Sequence, residues 1–214
     1  MPSPRPLTAF LGSALLGIAA GSLLSGCATD PSKLDESKSY FDGGALRDPQ
    51  STTIVLMGRV LNAQGRTDEA EFVLRRVIVE YPDFPAGYSE LAELLMKDNR
   101  NQEATLLLEQ GIEVVPANAM LHNDLGMCYV VSEDFQSAAD SFARARELNR
   151  EDAAYTANLA MVRGLQGNYD DSVALYSEVI SVAQAHQNVA VLAEARGDLA
   201  RAESDRAIAS NATK

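Results

Sequence analysis

The 34 residues from Ala119 to Asp152 constrain the chain most, because their pattern recurs one period away in both directions. The first half, His122-x-x-Leu125-Gly126-x-x-Tyr129, places bulky groups at helical spacing around one small residue. The second half, Ala138-x-x-x-Phe142-x-x-Ala145, does the same on a following helix, and the short polar run Val131 to Asp134 turns one onto the other. Thirty-four residues earlier stand Tyr88, Leu91, Ala92, Leu95, Ala104, Leu108, Gly111 and Pro116. A further period back stand Ile54, Met57, Gly58, Leu61, Ala70, Leu74, Val77 and Pro82. One period forward, Thr156, Leu159, Ala160, Ser172, Tyr176 and Val179 keep the phase more weakly. A fifth copy follows after 30 residues with His186, Val189, Ala190, Ala193, Ala202 and Ala209. A single helical hairpin cannot bury both of its apolar faces, so each unit must stack on its neighbour.

In period and in the alternation of large and small positions, these units resemble the tetratricopeptide repeat (TPR) family. The resemblance implies an all-α fold, a TPR solenoid of about five helix-turn-helix repeats with a C-terminal capping helix. The units are expected at 51–84, 85–118, 119–152, a short fourth at 153–182, and a fifth with its cap at 183–214. Ala200 to Ser210, rich in Arg, Glu, Asp and Ala, suits the cap. Asp134, Asp170 and Asp198 recur between paired helices, where short carboxylates cap helix N-termini.

Residues 1–26 read as a lipoprotein signal peptide: Arg5 supplies a minimal basic start and Leu7 to Leu24 an apolar stretch rich in small residues. Leu24-Ser25-Gly26-Cys27 resembles the bacterial lipobox, which implies diacylation of the Cys27 thiol and cleavage before it; ordinary secretory cleavage is the alternative. Ala28, rather than an acid, follows the cysteine, which implies sorting to the outer membrane. Several acyl chains hold firmly where one does not, so the membrane is expected to be met through the N-terminal lipid only. Residues 27–50 carry Pro31, Gly43-Gly44 and Pro49 without a sustained period and read as a flexible tether. Its expected root-mean-square span is roughly 25–30 Å. Tyr40 and Phe41 are its aromatic residues, placed to dock onto the first repeat.

A net charge of −12 argues against nucleic acid as a partner, since phosphate contacts need a basic surface. It equally disfavours adhesion to anionic headgroups. With Cys27 acylated, Cys128 has no cysteine to pair with and reads as a buried, inert thiol. Catalytic raw material is scarce: the two histidines, His122 and His186, share one repeat position and read as packing residues. Neither has a Cys or Asp at ligand or triad spacing, and no glycine-rich phosphate loop follows a strand. The expectation is a protein that is not an enzyme and takes no cofactor and no metal.

Binding remains. In the TPR family the first helix of each pair lines a concave groove, and the facing positions transfer here to a defined row. They are Arg59 and Asn62 in the first unit, Glu93 and Met96 in the second, and Asn123, Met127, Val130 and Val131 in the third. Asn158, Met161 and Leu165 follow in the fourth, with Asn188 and Val191 in the last. Met96, Met127 and Met161 are flexible and polarisable, suited to an apolar partner segment. Asn123, Asn158 and Asn188 could hydrogen-bond an extended backbone; the alternative is that some of the set packs between helices. The carboxylate clamp of chaperone-binding repeats, a Lys and Asn pair, is replaced here by Val55 and Arg59, then Ser89 and Glu93.

The stretch Ala185-His186-x-Asn188-Val189-Ala190 through Glu194-x-Arg196-Gly197-Asp198, after a shortened repeat, resembles the TadD lipoproteins of tight-adherence (Tad/Flp-type) pilus machines. His122-Asn123-Asp124-Leu125-Gly126 and Asn158-Leu159-Ala160 are in keeping. The resemblance implies an outer-membrane lipoprotein facing the periplasm, a scaffold that helps place a secretin or other pilus-assembly components. The alternative is an envelope adaptor that recruits periplasmic proteases or peptidoglycan hydrolases.

Overall fold

The computed structural model describes residues 50–212. The signal peptide, Cys27 and the tether with Tyr40 and Phe41 lie outside the described residues. Ten α-helices and no strand occur among the described residues. They are α1 (Ser51–Ala63), α2 (Thr67–Glu80), α3 (Pro85–Lys97), α4 (Asn101–Val114), α5 (Ala119–Val131), α6 (Phe135–Leu148), α7 (Ala153–Gln166), α8 (Tyr169–Ser177), α9 (Val182–Ala195) and α10 (Leu199–Asn211). Consecutive helices pair as five antiparallel hairpins. First helices also lie beside first helices, α1 on α3, α3 on α5 and α7 on α9. α10 is the second helix of the fifth hairpin and packs on α9.

The large and small positions interlock as steric facts. A Cβ added at Gly126 of α5 would lie 2.6 Å from the ring of Phe142 on α6, and one at Gly58 of α1 would lie 2.8 Å from Leu74 on α2. At Gly87 of α3 it would meet Val77 of the preceding hairpin, also at 2.8 Å. Absent methyls thus let helices approach both within a hairpin and between hairpins, and interiors at this density leave no room to insert one.

Each hairpin turns in the same way. The residue after each first helix's C-cap has positive φ at Gly65, Asn99 and Glu133, and Gly167 and Gly197 hold the same conformation in the last two turns. The next amide reaches back to the last turn, as Arg66 N–H to Leu61 C=O (2.9 Å) and Asp134 N–H to Tyr129 C=O (2.9 Å), with equivalents in the other three hairpins. This is the Schellman geometry, which satisfies carbonyls that a helix end leaves open. Asp134 and Asp198 cap α6 and α10, accepting from the amides of Ser137 and Arg201 at 3.1 Å. Asp170 does not cap. It sits inside the first turn of α8, where Asn168 holds the cap position, and its carboxylate accepts from Arg201 at 2.8 Å. Asp152 caps α7 instead.

The fourth hairpin is the irregular one. α8 has 9 residues where the second helices before it have 14. The short connection begins a reciprocal capping box, Ser181 accepting from the Gln184 amide while Gln184 accepts from the Ser181 amide. A strong new N-terminus at Ser181 explains how the chain drops residues without losing the next helix.

Candidate functional site

The expected binding row runs along α1, α3, α5, α7 and α9, and the structure divides it. Arg59, Glu93 and Val191 are exposed. Asn62, Met96, Asn123, Met127, Val131, Asn158, Met161 and Asn188 are half-buried. Val130 and Leu165 are corrected: each is 1% exposed and belongs to the core between helices, so neither can touch a partner. They stand near the C-terminal ends of α5 and α7, where the chain bends back toward the second helix and takes the side chain inward.

Two polar members of the row, Asn123 and Asn158, are tied to one another. Asn158 on α7 donates to Asn123 on α5 at 2.7 Å, Asn123 donates to Asp124 at 3.3 Å, and Ser89 on α3 donates to the other oxygen of Asp124. This chain of hydrogen bonds crosses three hairpins. Its long links join residues 35 apart, one repeat plus one residue, and that diagonal spacing is the sequence signal that could have revealed Ser89 and Asp124. The diagonal lapses at the ends, because Val55 and Ala157 have no polar side chain to extend it to Glu90 or Asn188. Asn123 and Asn158 therefore spend part of their capacity on the scaffold, and a partner's backbone would compete for what is left. Burial holds the Asp124 carboxyl above the usual carboxylate range, with the charges of Glu93 and Glu90 adding to the rise and the bonds from Ser89 and Asn123 opposing it.

At the N-terminal end a cavity of about 490 Å³ opens between α1 and α3, lined by Gly58, Arg59, Asn62, Glu90, Glu93 and Lys97. Its charges are matched: Arg59 bonds Glu90, and Lys97 bonds Glu93 at 2.6 Å. The row thus runs from a neutral polar pocket to a middle where Met127 and Met161 remain partly open beside Asn123 and Asn158. Met96 is turned toward Cys128, whose thiol donates to its sulfur at 3.4 Å. Cys128 is fully buried, and desolvation pushes its thiol up to about 11, which keeps it protonated and unreactive at neutral pH.

The histidines do more than fill space. His122 Nε2 lies 3.0 Å from the carbonyl of Pro116, and His186 Nδ1 lies 2.7 Å from Oδ1 of Asp205, a carboxylate 1% exposed on α10. Arg201 bonds the other oxygen of Asp205 at 2.6 Å and reaches Asp170 of the preceding hairpin. This network fastens the last helix to α9 and α8. It closes the stack and presents no open nucleophile. Among the described residues no group of three or more His, Cys, Asp or Glu could hold a metal ion, and no helix is long and apolar enough to cross a membrane.

Known proteins show the same kind of repeat. Tetratricopeptide repeat sequence profiles match residues 61–125 and 123–185. Human tetratricopeptide repeat protein 13 is 37% identical over 81 residues, covering 38% of this chain and 9% of that protein, so the chain spans a small part of this curated relative. Among solved structures, MamA superposes with a TM-score of 0.57 at 22% identity, covering 72% of this chain and 92% of that one. YrrB, described as a TPR protein with an unusual peptide-binding site, does so with a TM-score of 0.56 at 17% identity, covering 73% and 83%. At such identities the likeness is one of fold. With the profiles together spanning more than half of the sequence, and the same period written in its helices, turns and interlocking glycines, the chain belongs to the tetratricopeptide repeat family.

Proposed function

We propose that this chain is a scaffold that captures an apolar segment of another protein on its row of first helices, working from the outer membrane toward the periplasm. The observation that carries the reading is the partly open pair Met127 and Met161 on successive first helices, flanked by hydrogen-bonded asparagines and bordered at one end by a charge-matched pocket. Thioethers adapt to irregular apolar surface, and the family's geometry offers this side to ligands. The peptide-binding site described for YrrB, a protein of the same fold, supports such a use of the repeats. The resemblance of the C-terminal repeats to TadD lipoproteins supports a place in assembling a Tad/Flp-type pilus machine, with the secretin or a component beside it as partner. Anchoring through Cys27 and delivery to the outer membrane rest on the lipobox-like Leu24-Ser25-Gly26-Cys27.

Two measurements test this. Met127→Glu with Met161→Glu should weaken capture of the partner from solubilised envelopes at least tenfold while the circular dichroism spectrum stays helical; undiminished capture removes the groove reading. Metabolic labelling with palmitate should mark the unsubstituted chain and leave Cys27→Ala unlabelled. A knockout in which secretin multimers assemble and localise normally would shift the assignment to an envelope adaptor.

A further inference from the structure

One hairpin of the stack lacks an interface that the others have. In α3, α5 and α7, Leu91, Leu125 and Leu159 are 0%, 8% and 6% exposed, and each of these helices also packs on the second helix of the hairpin before it. The equivalent residue of α1 is Met57, and it is 54% exposed. Three residues on, Leu94, Cys128 and Val162 are sealed, whereas Val60 of α1 is 54% exposed. Leu56 beside them is 56% exposed. Among the described residues, the first helix therefore keeps an apolar interior-type face turned outward, on the side where every later hairpin has a neighbour.

The opposite end of the stack is built differently. At the register positions where α2 presents Glu71 and Ile78 to the next hairpin, α10 carries Glu203 and Ser210, both exposed. At these two positions α10 offers no apolar side chain to Met57 and Val60, so head-to-tail stacking, which would generate an open filament, is disfavoured. Charge selects among the remaining arrangements of two copies. The chain carries a net −12, yet α1 contains no acid and a single charged residue, Arg59, which is bonded to Glu90. Two α1 faces can therefore meet with little of the repulsion that opposes other surfaces of this protein.

We propose that the chain self-associates through α1, two copies pairing their Met57 and Val60 faces about a two-fold axis. The interface is isologous and closed, leaving the row of first helices further along the stack free for other partners. A 13-residue helix is about 20 Å long, so the contact falls at the small end of specific interfaces and the dimer should dissociate on dilution.

Sedimentation of the purified full chain across the micromolar range should give a mass rising from one protomer to two. Met57→Glu with Val60→Glu should hold it at one protomer with an unchanged helical spectrum, since both side chains are more than half exposed. Val60→Lys alone provides a second reading should the double variant lose helicity. Met57→Cys should form a disulfide-linked dimer under mild oxidation well beyond that of the unsubstituted chain, because the two-fold axis brings the residue near its own copy. A monomer at every concentration, or a dimer that survives these substitutions, overturns the proposal; failure of Met57→Cys to cross-link overturns the two-fold arrangement.

Discussion

Asp124 on α5 bears an electrostatic cost from its burial. Its carboxyl is raised by burial, and the donors Ser89 and Asn123 only partly offset the loss of water. A carboxyl whose folded value lies above its unfolded one supports the fold fully at pH below the unfolded value. That support is lost as the pH rises through the folded value. At pH 7 the residue therefore costs stability, and Asp124→Asn, which preserves the shape and the two neighbours, should raise the unfolding temperature. The gain should vanish as the pH is lowered past about 4, the ordinary value of an unfolded aspartate. A scan of melting temperature against pH checks both the sign and the window. The repeat pattern placed Asp124 beside Asn123 on α5, but its burial depends on α3 and was not readable from α5 alone. Val130 and Leu165 teach the same lesson with the opposite outcome: register put them on the groove, and the helix ends took them into the core.

At the scale of one hairpin, the turn decides the geometry. Five turn residues take positive φ, and three of them are glycine. Glu133, at φ 58°, is the one with a long side chain, and an L-residue in this region costs roughly 1–2 kcal/mol, less for asparagine such as Asn99. Glu133→Gly should therefore stabilise the protein by about 0.5–1 kcal/mol after glycine's extra unfolded-state entropy is subtracted. Chemical denaturation, with the midpoint rising at constant slope, measures it. The glycines at 65 and 167 stand 34 residues either side of Asn99 and Glu133 in one series, so the turn was written in the sequence. Its uniform conformation was masked by the two non-glycine members.

Across the whole stack, contacts are between neighbours, so stability is distributed by position. The hairpins are stitched by side chains that reach one repeat along. Arg100 bonds Glu71 at 2.6 Å, Arg146 bonds Glu178 at 2.6 Å, and Gln166 donates to the carbonyl of Phe135 at 3.1 Å. Arg100 holds the Glu71 carboxyl below its ordinary range. The central units α3 to α7 are enclosed on both sides, whereas among the described residues α1 lacks a neighbour on one face, and α8 is short. Amide hydrogen exchange should accordingly be slowest in α5 and α6 and fastest in α1 and α10. Uniform protection from end to end would show that the stack opens only as a unit. Under the dimer proposed above, protection of α1 should rise with protein concentration.

The period of large and small residues determined the helices, their pairing and the order of the stack by itself, because each depends on contacts within one repeat or between adjacent ones, where spacing along the chain maps directly onto distance. Which members of the row face solvent, which bond one another, and which apolar face goes without a neighbour were decided only in three dimensions. Those properties depend on how much of each helix the next hairpin covers, and that coverage is set by side chains about one repeat away along the chain.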